Sequence, residues 1–362
     1  MSKEKLTLPK RRTNIEQYDA ILAEVAKQLR LIDHIEPINK EEERKRFFSE
    51  KDYEPVFRYK ELGFDPSHLR YDLESLRLGD SPIETIMRKI KEDFLLKIDL
   101  LLNRGNKNFR QISLKLYGKP SPETVKEAEE LIEMQPTAST EEVESKEIMS
   151  WMEGIIKKHD LPWTVRQNDN LSARARVDRN HKVIEIRPGW FSKREAKRLI
   201  VHEFVHLTRS TNAEAQPYRV FALETSKTLK TEEGLALFYE SKYSLLDVQL
   251  RRYAARTLAV QKMLDGASFR DVFSFLVGKS FPEDEAYEIT QRVFRGGGLT
   301  KDCVYLEGLR KVRNYLERGG DIRILFAGKV SIEDISLIRA LMEEGILKEP
   351  AYLPEDVIGH LP

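Results

Sequence analysis

Cysteine is almost missing from this chain: Cys303 is the only one in 362 residues. Neither a disulfide framework nor a zinc site built on several thiolates can therefore organise the fold. A lone thiol reads as a small buried hydrophobe, in a compartment that is reducing or indifferent to redox. An excess of charge is missing too. With 61 Lys+Arg against 60 Asp+Glu the formal net charge is +1, which gives no global field of the kind that drives non-specific binding to nucleic acid. Long apolar runs are also absent. The richest stretch, 94–102, is interrupted by Lys97 and Asp99, whereas a membrane span needs about 18 or more apolar residues. Residues 1–12 are basic and polar with no hydrophobic stretch behind them, unlike a secretory signal. These absences predict a soluble, cytoplasmic protein without nucleic-acid or membrane partners.

What is present is mostly helix. In 15–31, Tyr18, Ile21, Leu22, Val25, Leu29 and Leu31 fall near one helical face. A second helix fits 82–103, opened by Ser81 with Glu84 three residues on, the reciprocal capping pattern. A third fits 122–133, and the charge run 41–46 reads as a solvated helical face. Residues 134–146, rich in Thr, Ser and Glu with one Pro, read as an exposed connection. The period then changes to two: 163–165, 172–177 and 183–187 alternate like strands around the turn Asp178-Arg179-Asn180, predicting a small sheet with a hairpin. From Ser192 onward helices return, with expected openings at Ser192, Thr231, Pro282 and Ser331, and Gly296-Gly297-Gly298 separates two of them. The class is α+β, mostly helical with a small sheet. Length alone suggests about two domains, divided here as a flexible basic tail (1–12), a helical N-terminal region (13–140) and a C-terminal domain (147–362).

The sharpest chemical signal is His202-Glu203-Phe204-Val205-His206 inside the helix opened by Ser192. Histidines four residues apart project from one helical face and can grip one metal ion, while Glu203 can act as general base towards a water activated there. A catalytic zinc site of this kind uses three protein ligands. The third is sought in Thr231-Glu232-Glu233-Gly234-Leu235-Ala236, where small residues after the acids permit close helix packing. In two-helix zinc peptidases a second helix presents a Glu to the metal; by that comparison Glu233, directly before the glycine, is the ligand and Glu232 lies behind it or faces solvent. Taken alone, the two acids would merely complement a helix N-terminus.

Two further segments carry candidate substrate contacts. On the hairpin 173–186, Arg174 and Arg176 alternate with Ala173, Ala175 and Val177, so one face can pack while the other offers guanidinium groups, and the edge can pair with an extended peptide. Near the C-terminus, 292–305 combines glycines with Arg295, Lys301 and Tyr305. Any of these three can bind a carboxylate or the oxyanion of the reaction, and spacing does not choose among them.

With these motifs the chain resembles the tyrosine carboxypeptidase family that includes the microtubule-associated enzymes and bacterial proteins named for a QEGLA motif. The matching elements are Glu232-Glu233-Gly234-Leu235-Ala236, the stretch from Asn212 to Gln216-Pro217, Arg292 to Gly297, and Thr300-Lys301-Asp302-Cys303-Val304-Tyr305. Weaker likenesses lie at Ile35-Glu36-Pro37-Ile38-Asn39, Pro55-Val56-Phe57-Arg58-Tyr59, Gly345-Ile346-Leu347 and Tyr352-Leu353-Pro354. One departure is the histidine spacing, which in that family usually holds one more residue.

The resemblance implies a zincin-like metallopeptidase domain over 147–362, one Zn2+ held by His202, His206 and Glu233, and catalysis by Glu203 with Tyr305. It also implies a substrate that is the C-terminus of a peptide or protein, losing tyrosine or another aromatic residue. Because a planar guanidinium fork matches a carboxylate, the terminal carboxylate is expected on Arg295 first, then Arg176 or Arg209, with Lys301 as a further contact. The alternatives are a zinc endopeptidase or aminopeptidase, or a metal-binding regulatory protein without catalysis.

Overall fold

The computed structural model describes residues 14–135, 141–171, 173–179, 181–359 and 361; the tail expected over 1–12 lies outside them. The chain is mostly helical, with a small mixed sheet and a helical N-terminal region. No helix among the described residues is long and apolar enough to cross a membrane.

The first helix, Asn14–Gln28, ends earlier than its periodicity suggests, because Arg30 leaves helical backbone (φ −78°, ψ 78°) and Leu31–Ile35 starts a separate turn. The longest N-terminal helix, Pro82–Leu102, is capped by Ser81, whose hydroxyl accepts from the Glu84 amide. Its buried face carries Ile83, Met87, Ile90, Phe94 and Ile98, the three-and-four spacing that one apolar stripe requires. That stripe belongs to a core that continues through Tyr253, Val260, Val304 and Leu341, so the helices from both halves of the sequence bury a common apolar interior.

The charge run 41–46 forms a solvated helical face except at one position. In helix Lys40–Ser49, Glu43 is buried and accepts from the Val56 amide (2.7 Å), Asn39 (3.0 Å) and the Tyr53 hydroxyl (2.5 Å).

The strands are β1 (Glu142–Glu144), β2 (Thr164–Gln167), β3 (Ala175–Asp178), β4 (Val183–Ile186) and β5 (Trp190–Ser192). One sheet has the order β2-β4-β3, with β2 parallel and β3 antiparallel to β4, so the expected hairpin is present and β3 forms an edge. All four β4 residues are buried, including Glu185, which takes Arg166 (2.6 Å), Arg176 (2.6 Å) and Asn168 (3.0 Å). The region expected as an exposed connection, 134–146, contains β1, which pairs antiparallel with β5 and buries Val143, and then the first residues of helix Ser145–Lys158. Residues three long carry too little pattern to announce a strand; its partner lies nearly fifty residues away in sequence.

Helix Lys193–Glu214 starts where its cap predicts, with the Ser192 hydroxyl accepting from the Glu195 amide at 3.2 Å. Two expected openings move. The acidic helix begins at Ser226 and runs to Lys242, because Thr225 and Thr228 form a reciprocal capping box one and a half turns before Thr231. Glu232 and Glu233 are therefore mid-helix, and a first-turn dipole role does not apply. Ser331 opens a 3-10 turn, Ile332–Asp334, before helix Ile335–Glu343. Against the Glu233 helix lies Val304–Glu317, and the two backbones meet at Gly234 and Gly308: a Cβ on Gly234 would stand 2.3 Å from the Gly308 carbonyl carbon.

Candidate metal centre

Helices Lys193–Glu214 and Ser226–Lys242 bring the titratable side chains together. Arg198 and His202 meet Glu240, while His206 and Arg209 meet Glu232, so one sequence ascends as the other descends and the helices pack antiparallel. His202 and His206, one turn apart, have ring centroids 4.8 Å apart. Each Nδ1 is committed to a buried carboxylate: His202 to Glu240 Oε1 at 2.7 Å, His206 to Glu232 Oε1 at 2.8 Å. That leaves both Nε2 atoms turned to Glu233 Oε2, at 3.6 and 3.9 Å.

Glu233 Oε2 is buried and has no hydrogen-bond partner among the described residues. An unpartnered carboxylate oxygen facing two imidazole nitrogens is costly as it stands and is satisfied by a cation. The ligand atoms of His202, His206 and Glu233 lie within 4.8 Å of one another. Two nitrogens and one carboxylate oxygen match the three-ligand set of catalytic zinc, with imidazoles oriented from behind by carboxylates. The residues fit a metal ion.

The layer behind the ligands is a network of buried charge. Glu240, fully buried, accepts from Arg198 at 3.0 Å as well as from His202. Glu232 accepts from Lys329 and Arg209 besides His206. Burial alone would raise the Glu232 carboxyl, but the Lys329 ammonium and then His206 hold it well below the usual carboxylate range. Burial pulls Lys329 down to about 7 despite Glu232.

A cavity of about 600 Å³ opens over the centre and is lined by His202, Glu203, His206 and Glu233. Glu203 is buried at its wall and, among the described residues, makes no hydrogen bond that would hold it away from the opening. Tyr305 lines the same cavity, its ring stacked on Tyr253 at 5.0 Å. Burial, and next the Glu233 carboxylate, push the Tyr305 phenol above its ordinary range, so it stays protonated as a donor. Arg295 also lines the cavity, with one long contact to Glu36 at 3.4 Å and its Nε unpartnered.

The other expected contacts lie elsewhere or are occupied. Arg176, on the edge strand at the cavity rim, is about half exposed and bound to Glu185. Lys301 is not among the lining residues, and burial pulls its ammonium down. Arg209 is fully buried, donating to the Leu325 and Val330 carbonyls at 3.1 and 2.7 Å, and does not reach the cavity. Four neighbours had no sequence motif to mark them: Glu240, Arg198, Lys329 and Arg256. For two of them a spacing signal exists. Glu240 lies seven residues, two turns, after Glu233, and Arg198 one turn before His202, which places each on the same helical face as a ligand.

The family and the cluster together support a metallopeptidase-like function. Among curated proteins no significant match is found. The model of the family described as microtubule-associated tyrosine carboxypeptidase matches residues 45–359, which is most of the chain and includes every residue of the centre, and the chain belongs to that family.

Proposed function

We propose that this protein is a zinc-dependent carboxypeptidase that removes the last residue, tyrosine or another aromatic, from a peptide or protein. Residues 147–362 would form its zincin-like catalytic part. The observation that carries the reading is Glu203, a carboxylate that is not one of the three clustered ligands, in the wall of the same cavity that they line. A purely structural metal site has no use for such a group.

Zinc held by His202, His206 and Glu233 would supply Lewis acidity and lower the pKa of water towards about 7. Glu203 takes a proton from the water as its oxygen bonds to the scissile carbonyl carbon, and delivers it to the leaving amine as the C–N bond breaks. The protonated Tyr305 phenol donates to the oxygen on which charge develops. Strand β3, an edge with Arg176 on it and Arg174 just before it at the cavity, offers its backbone to an extended substrate.

The test is metal analysis of the purified protein followed by mass spectrometry of a mixed peptide library. About one zinc per chain and products shortened by one C-terminal residue are expected. Internal cleavage or N-terminal trimming would replace the carboxypeptidase with an endopeptidase or aminopeptidase, and an unchanged library at full zinc occupancy would refute catalysis.

A further inference from the structure

Arg256 lies in helix Asp247–Leu264, outside every sequence motif, and lines the cavity that holds His202 and Glu233. The arginines around it have carboxylate partners. Arg252 donates to Glu285 at 2.6 Å, Arg198 to Glu240 at 3.0 Å, and Arg292 to both oxygens of Asp302 at 2.8 and 2.7 Å. Arg256 donates to no oxygen among the described residues, and its Nε is buried without a partner.

Aromatic rings hold it instead. Its Cζ stands 5.4 Å from the Tyr305 ring centroid and 5.9 Å from that of Tyr253, and these two rings are stacked on each other. A guanidinium fixed against rings with its donors unused is preorganised for a planar anion, since the ordering of the side chain is already in place before the ligand arrives. Burial and the nearby Arg292 charge disfavour the Arg256 cation more than Asp302 and Tyr305 favour it, and an incoming carboxylate brings a compensating negative charge.

We propose that Arg256, on its two-tyrosine platform, binds the terminal α-carboxylate of the substrate; the assignment rests on the carboxypeptidase reading above. Tyr305 lines the same cavity as the Glu233 ligand, and its ring carries Arg256. A terminal carboxylate lies one residue of chain, at most about 3.6 Å, beyond the scissile carbonyl. An arginine held against a ring in the wall of the cavity that Glu233 also lines suits that short reach. Arg198 and Arg295 also have an unpartnered Nε, but each already faces a carboxylate, Glu240 and Glu36 respectively.

The experiment compares two peptides of one sequence, without acidic side chains, ending in a free acid or an amide. Wild type, Arg256→Ala and Arg256→Gln are assayed, with zinc content and melting temperature measured on each. Wild type should cleave the acid faster. Arg256→Ala should lose roughly ten- to a hundred-fold in kcat/KM on the acid, as expected for a charge-assisted contact, little on the amide, and keep its zinc. Its acid-to-amide ratio then falls towards one. If Arg256→Ala does not fold, Arg256→Gln, which keeps the aliphatic stem over the rings, gives the same ratio. A folded, zinc-loaded variant with the wild-type ratio overturns the role of Arg256 while leaving the carboxypeptidase standing. Equal rates on acid and amide in the wild type overturn the carboxypeptidase reading and this assignment with it.

Discussion

Gly234→Ala adds a single methyl, yet the fold gives it nowhere to go. The new Cβ would sit 2.3 Å from the carbonyl carbon of Gly308, 2.4 Å from its oxygen and 2.9 Å from its Cα. All three are helix backbone, so no side-chain rotation relieves the clash, and the two helices must part by about 1.1 Å to restore ordinary contact at 3.4 Å. Overpacking of this kind costs about 1–3 kcal/mol; rigid partners favour the upper end, and the better helix propensity of alanine returns about 1 kcal/mol. The net loss is about 2 kcal/mol, or roughly 4–8 °C in Tm by the scaling for domains of 150–250 residues. Glu233 is the neighbouring residue, and metal–ligand distances tolerate only about 0.2 Å, so zinc affinity should fall at least about tenfold where the Glu233 helix is the one that yields. Calorimetry and zinc titration read the two effects separately. Gly154→Ala is the control: its Cβ meets nothing within 4 Å, and it should stabilise by about 0.5–1 kcal/mol. A Gly234→Ala protein with wild-type Tm and wild-type zinc affinity would refute the close helix contact.

Glu203→Gln should retain zinc and lose turnover on any peptide the wild type cleaves; a wild-type rate in that variant contradicts the proton-transfer role. Glu240→Ala should weaken zinc binding about 10–100-fold, the usual effect of removing a histidine's outer partner. It should also cost about 3–5 kcal/mol of stability in urea unfolding, because Arg198 is left as an unpaired buried charge. His202→Ala with His206→Ala should abolish stoichiometric zinc, and full occupancy in that double variant would place the metal elsewhere. Burial pushes the Cys303 thiol up to about 12, so native protein at pH 8 should resist iodoacetamide and react once denatured; rapid labelling of the folded chain would show that the thiol is accessible.

What could be read from the sequence depended on how far apart the interacting residues lie along it. His202 and His206 are one turn apart within a helix whose cap, Ser192, is also local, so both their shared face and the helix start follow from spacing. The start of the next helix was misplaced because Thr231 precedes two acids and looks like a cap, whereas the Thr225–Thr228 box satisfies the amide donors earlier. Arg209 shows the limit from the other side. Its position one turn past His206 suits a substrate contact, but the face it occupies is set by Leu325 and Val330, more than a hundred residues later, whose carbonyls capture its guanidinium. Glu240 and Lys329 escape notice for the same reason: a buried carboxylate or ammonium acquires meaning only from the group packed against it. The ligands are therefore written locally, as a motif within a turn or two. The charges that orient them are fixed by where separate helices cross, and Gly234 against Gly308 sets one such crossing, that of the Glu233 helix with Val304–Glu317.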